Sequence, residues 1–240
     1  MATKRKPTKG QQVMTFGWGG WRPGAGRKPS KRRNKRMLHR ERPPVSRRTP
    51  THVTLKVRPE LVSLRTKQRV LVIRRATIAA AERPGFRIID WSIQTNHIHA
   101  LIEADSAHEL ACGMQSFCVR IARGLNAIAQ RTGAVFTERY HLRLLHTPAE
   151  VRNARAYVLL NRRHHAAQAG TRIERGWVDP FSSWAWFDGW RDLPRDAARR
   201  VQQERAGPAP VALPKSWLVR VGWRRRGLIS INETPAACKR

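Results

Sequence analysis

Apolar positions along the chain recur with two periods. His52-Val-Thr-Leu-Lys-Val57 alternates with period two and predicts a strand, whereas Leu61, Leu64, Val70, Leu71 and Ile78 recur at helical spacing and predict a helix over 59–82, ended by Pro84-Gly85. Phe86 to Gln94 and His97 to Ala104 read as two further strands, joined through Thr95-Asn96 in a connection short enough for a hairpin. Ser106-Ala-His-Glu109 has the form of a capping box and opens a helix that runs to about Thr132. Val135 to Leu145 is a fourth strand region. Thr147-Pro-Ala-Glu150 is a second capping box, with proline at the first helical position, and predicts a helix over 148–168. The order is β-α-β-β-α-β-α, and its first six elements are the split βαβ, ferredoxin-like arrangement. The expected fold is therefore α+β: an antiparallel sheet with helices on one face, followed by one more helix. Beyond Gly170 the periodicity fades. Trp184, Trp186, Phe187 and Trp190 form an aromatic cluster, 207–214 reads as a linker, and 217–231 suits either a strand pair or a short helix.

Composition narrows the classes of function. Hydrophobic residues make up 40% of the 240, enough for one ordinary core. Three cysteines, with no Cys-x-x-Cys pair, indicate neither a disulfide framework nor a zinc ribbon. No aliphatic stretch approaches the roughly 20 residues that span a bilayer, and the basic N-terminus is not followed by the apolar core of a signal peptide, so no membrane partner and a cytoplasmic location are expected. The 48 Lys+Arg against 16 Asp+Glu leave a net charge of +32, a surplus that calls for a polyanion, of which nucleic acid is the commonest.

That charge is unevenly spread. Residues 1–48 hold 16 Lys+Arg and one acid, and read as a flexible, basic, DNA-binding arm ahead of a domain over 49–183 and an aromatic and basic extension over 184–240. Arg22, Arg27 and Lys28 sit on a glycine-rich backbone suited to a groove, and Arg32 and Arg33 belong to a phosphate-binding run. A nonspecific polycationic tail is the competing account. Arg120 and Arg123 on the second helix, and Arg152, Arg155, Arg162 and Arg163 on the third, can flank a DNA strand; solvated helix faces explain them equally. The tryptophans can stack unpaired bases or pack the C-terminal segment onto the core.

Two constellations carry chemistry. His97 and His99 alternate with Ile98 on the third strand, so both imidazoles project from one face of a rigid element. Such a pair can hold a divalent metal and leave positions open for substrate, while two ligand-free strand histidines would look the same. Tyr157 lies four residues before Asn161, in a polar ridge with Asn153 and His164 or His165. A phenol can attack a phosphodiester, and Asn161 can offer a metal a carbonyl oxygen; a surface tyrosine on an amphipathic helix is the alternative. Tyr140, the other tyrosine, is a reserve candidate with a structural or DNA-contacting role.

Taken together, Gln94-Thr-Asn-His-Ile-His-Ala-Leu-Ile-Glu103, Val135-Phe-Thr-Glu-Arg-Tyr-His141 and Arg155-Ala-Tyr-Val-Leu-Leu-Asn161 resemble the HUH-type single-strand DNA transposases, in particular the REP-associated tyrosine transposases. The resemblance covers about residues 50–183, including Asp179-Pro-Phe-Ser-Ser183. It implies that His97 and His99 bind Mg²⁺ or Mn²⁺, that Asn161 completes the metal site and that Tyr157 is the nucleophile. It further implies cleavage and transfer of single-stranded or hairpin DNA through a 5′-phosphotyrosine link, by a homodimer or monomer. The chain departs from the family after Asn161, where relatives often carry proline and here Arg162-Arg-His-His165 continues the helix. A non-catalytic basic protein that binds hairpin DNA or RNA is the rival reading.

Overall fold

The computed structural model describes residues 44–61, 63–81 and 83–236. Strands β1 (Thr51–Lys56), β2 (Phe86–Ile93), β3 (His97–Ala104) and β4 (His141–Leu144) form one antiparallel sheet in the order β2-β3-β1-β4. Helix α1 (Lys67–Ala81) follows β1 and α2 (Ala107–Ile128) follows β3, which gives the α+β, split βαβ arrangement expected from the pattern. Among the described residues no helix is long and apolar enough to cross a membrane.

Alternation sorts the two faces of the sheet. Val53 and Leu55 of β1 and Ile98, Ala100 and Ile102 of β3 point into a core shared with Ile73 and Ala76 of α1 and Leu110, Phe117 and Ile121 of α2. Gly113 lets α2 lie close on β2, since a Cβ there would come within 2.2 Å of the Phe86 ring. The opposite face of β3 therefore carries His97, His99, Leu101 and Glu103. Helix α3 (Pro148–Leu159) covers part of this second face, where Val151, Ala154 and Leu159 pack with Leu101 and Ile89.

Element boundaries differ from the sequence expectation where long-range partners intervene. Helix α1 starts at Lys67 rather than near Pro59, because Leu61 and Leu64 enter the core from a turn and Arg65 is drawn away. The Arg65 guanidinium donates to both oxygens of Asp179 (2.9 and 2.8 Å) and to the Ile93 carbonyl (2.7 Å). Strand β4 is shorter than 135–145. Its pairing with β1 runs from Thr54↔His141 to an isolated bridge at Val57↔Phe136, so three steps on one strand meet five on the other and two residues loop out. At Ser106 only half of the capping box forms: Glu109 N–H donates to Ser106 Oγ (3.1 Å), while the Glu109 carboxylate turns to Arg83 (3.7 Å). At Thr147 both halves are present.

The expected helix over 148–168 breaks at Leu160 into α3 and α4 (Asn161–Gln168). Neither glycine nor proline causes the break. Side chains beyond it are held elsewhere: Arg163 donates to the carbonyls of Ile173, Glu174 and Trp177, and the His164 ring bonds the Pro235 carbonyl (2.8 Å). These anchors set the direction of α4.

The C-terminal segment adds α5 (Arg195–Arg205) and α6 (Trp217–Arg220). Phe187, Val219, Trp223 and Ile229 bury the outer side of α3, so that helix is sandwiched between sheet and C-terminal segment. The free edge of β2 is closed twice. Ile93 N–H donates to the Phe181 carbonyl (2.8 Å) and Ser183 N–H to the Trp91 carbonyl (2.9 Å), and in the 207–214 stretch Ala212 N–H donates to the Ile88 carbonyl (2.8 Å). A covered edge cannot pair with a second chain. Trp184 is buried, and Trp186 and Trp190 are half-buried, in packing contacts of this segment.

Candidate active site

The register of the sheet builds the site. In antiparallel pairs directly opposed residues share a face, so Thr54↔His99 and His52↔Leu101 place two polar side chains of β1 beside the histidines of β3. On β2 the face is set by a bulge. Ile88 opposes Ile102, yet Asp90 opposes Leu101, so the extra residue Ile89 turns Asp90 and Ser92 toward the histidine side.

Asp90 then positions the tyrosine helix. Arg155, two residues before Tyr157, donates through Nε (2.8 Å) and Nη2 (3.3 Å) to the Asp90 carboxylate and through Nη1 to the Val219 carbonyl (3.1 Å). Its guanidinium also lies over the rings of Phe187 (4.6 Å) and Trp223 (4.9 Å). Both charged groups are almost wholly buried.

With α3 so fixed, Tyr157 stands half-buried over the paired strands. Its ring centroid is 5.2 Å from that of His99, 5.9 Å from His52 and 5.3 Å from His164. His97 and His99 present Nε2 to Nε2 at 3.0 Å. Their outer nitrogens have partners: His97 Nδ1 faces Asn96 Oδ1 at 2.8 Å, and His99 Nδ1 faces Thr54 Oγ1 and His52 Nε2, each at 3.1 Å. Asn96 Oδ1 can only accept, so in the neutral ring His97 carries its proton on Nδ1 and keeps a lone pair on Nε2. The same tautomer of His99, donating to Thr54 or His52, points a second lone pair at the first.

Burial keeps these rings uncharged. Desolvation, with Arg143 adding to it, pulls the pKa of His52 down to about 4. His97 falls to about 4 through desolvation, then through His165 and Lys56. His99 lies well below the ordinary range, again first from burial and then from its imidazole neighbours. Asn161, one turn beyond Tyr157 and at the start of α4, is fully buried, and neither Oδ1 nor Nδ2 has a hydrogen-bond partner. An unpaired buried amide costs roughly 1–3 kcal/mol, so the fold holds a polar group there without an internal use for it.

Among the described residues no group of three or more His, Cys, Asp or Glu is arranged to hold a metal ion. What the site offers instead is the facing imidazole pair and, on the tyrosine helix's continuation, the unpaired carbonyl oxygen of Asn161. These residues fit a divalent cation in chemistry: neutral imidazoles are metal ligands, and each outer nitrogen has the supporting contact that fixes ligand orientation.

The sequence-derived candidates fare unequally. His97, His99 and Tyr157 come together. His52 and Thr54 were not among them, although period-two alternation and the ferredoxin-like strand order, in which β1 lies beside β3, would have placed both next to His99. Arg155 and Arg163 are buried and occupied within the protein, in place of the DNA contacts expected of them. Arg152 is half-buried and pairs with Glu233 (2.7 and 2.8 Å). Arg162 is exposed on α4. Arg120 and Arg123 are exposed on α2, which covers the face away from Tyr157. Arg22, Arg27, Lys28, Arg32 and Arg33 lie outside the described residues. Tyr140 is half-buried and packs against the core that α1 and α2 share.

No protein-family model matches the chain, and no curated protein does. Among solved structures the chain is similar to a REP-associated tyrosine transposase bound to a REP hairpin, at 18% identity over 69% of this chain and 88% of that one, with a TM-score of 0.47. The likeness lies in the course of the backbone.

Proposed function

We propose that this chain is a metal-dependent DNA strand transferase acting on single-stranded or hairpin DNA, with Tyr157 as its nucleophile. The observation that carries the reading is the half-buried Tyr157 ring beside the facing Nε2 atoms of His97 and His99. The two facing imidazole nitrogens are donors of the kind that one divalent ion could take as neighbouring ligands. His97, His99 and the Asn161 carbonyl oxygen would hold Mg²⁺ or Mn²⁺, which polarises a scissile phosphate and eases phenolate formation.

The phenol oxygen of Tyr157 attacks phosphorus, forming a Tyr–O–P bond as the bond from phosphorus to the 3′ oxygen breaks. The released strand leaves as a 3′-OH, and the other keeps its 5′ phosphate on tyrosine. The phenol's proton passes to an imidazole, and the departing 3′ oxygen takes up a proton from it or from water to become the 3′-OH. His164 fits that role, because the Pro235 carbonyl at its Nδ1 fixes the proton there and leaves Nε2 free to accept. The phosphotyrosine retains the phosphodiester's energy, so a 3′-OH can reverse the step without a nucleotide cofactor.

Incubation with labelled hairpin oligonucleotides and Mn²⁺ should give a covalent adduct that survives denaturing electrophoresis, with Tyr157→Phe abolishing it and His97→Ala or His99→Ala reducing it at least a hundredfold. Binding without an adduct, or an adduct that persists in Tyr157→Phe, refutes the reading; the first outcome identifies a binding-only protein.

A further inference from the structure

Past the end of β3 remote from His97, a cavity of about 720 Å³ opens between the segment before β1 and the start of α6. Asp105, on its wall, is six residues from His99, so the cavity lies roughly 20 Å along the strand from the histidines. Four cations line it, Arg47, Arg48, Arg87 and Lys215, against one carboxylate, Asp105. Arg87 already donates to Asp105 (2.6 Å), whereas Arg47, Arg48 and Lys215 are exposed.

The same wall holds Trp217, 49% exposed. An indole in water is expensive, and this one is held in place. Gly222 brings backbone against the ring, where a Cβ would meet it at 2.6 Å, and the Arg225 guanidinium lies over the ring at 5.1 Å. The segment carrying it is anchored from below: the N–H groups of Lys215 and Ser216 donate to the fully buried Glu103 carboxylate (2.7 and 3.0 Å). A rigid, half-bare aromatic surface ringed by exposed cations is what an unpaired base and its flanking phosphates require. Paired bases present no free face to it.

We propose that this cavity binds a short single-stranded segment of nucleic acid, one unpaired base stacked on Trp217 and adjacent phosphates on Arg47, Arg48 and Lys215. The site is separate from Tyr157 and does not depend on strand transfer.

The test uses the full chain in EDTA, so that no covalent step occurs, with fluorescein-labelled dT10, rU10 and a blunt duplex as probes. Trp217→Ala should weaken binding of a single-stranded probe about tenfold and leave the duplex unchanged, while Trp217→Phe keeps most of the affinity. Arg47→Glu/Arg48→Glu, surface changes that leave the fold alone, should weaken both probe types and flatten the salt dependence. A dT10 carrying 5-iodouracil should crosslink to the peptide containing Trp217. Preference for dT10 or rU10 identifies the nucleic acid. Equal single-strand affinity in Trp217→Ala and parent, or crosslinks confined to other segments, overturns the proposal. Failure to form a Tyr157 adduct bears on strand transfer alone.

Discussion

Burying several imidazoles side by side ties the stability of the site to pH. His52 has a folded pKa near 4 against an ordinary 6.5, so between those values the unfolded chain binds more protons than the folded one. The His52 contribution is fully present above about 6.5 and is lost as pH falls through that window. At pH 5 the loss is about 2 kcal/mol for this residue alone. Urea denaturation of the metal-free protein should therefore show a lower midpoint at pH 5 than at pH 7, and His52→Gln should remove about 2 kcal/mol of the difference. A pH response identical in both proteins would mean that His52 is solvated. The same desolvation that creates this acid sensitivity keeps His97 and His99 neutral at pH 7, the form in which an imidazole can be a ligand.

Among elements, the tyrosine helix owes its place to one residue of strand irregularity. The bulge at Ile89 turns Asp90 to the histidine face, Asp90 takes Arg155, and Arg155 fixes α3 two residues from Tyr157. A buried ion pair of this kind is costly to break from one side, since the remaining charge has neither water nor partner. Asp90→Ala should cost about 3–5 kcal/mol in urea or thermal unfolding. Arg155→Met strands the buried Asp90 carboxyl instead, but that group can take up a proton whereas a guanidinium cannot lose one, so this change should cost less. The order of the two losses checks whether Asp90 serves α3 through charge.

At the scale of the whole molecule, the net charge of +32 is shared between the described body and the residues outside it, above all those ahead of residue 44. Replacing Arg22, Arg27, Lys28, Arg32 and Arg33 with alanine should lower the slope of log K against log salt by about 3 to 4 for single-stranded DNA, if each neutralises one phosphate. Adduct formation at saturating DNA should stay unchanged, because His97, His99 and Tyr157 are untouched. Titrations of the full-length variant between 50 and 300 mM NaCl read the slope directly.

The strand and helix order, the two faces of β3, the cap at Thr147 and the pairing of His97 with His99 follow from local rules of period and capping, and each was legible in the sequence. Tyr157 and Asn161 could be named from their four-residue spacing. Long-range contacts decided the rest. The Ile89 bulge, the loop-out before β4, the break at Leu160 and the burial of Arg155 and Arg163 depend on partners 10 to 87 residues away, such as Asp90 for Arg155. Helical spacing cannot tell an arginine that meets solvent from one that meets a buried carboxylate, because both satisfy the same period. The sequence determined which residues can do chemistry; only the packing of β1, β2 and the C-terminal segment around them decided which imidazoles stand beside Tyr157 and which cations are left free for a partner.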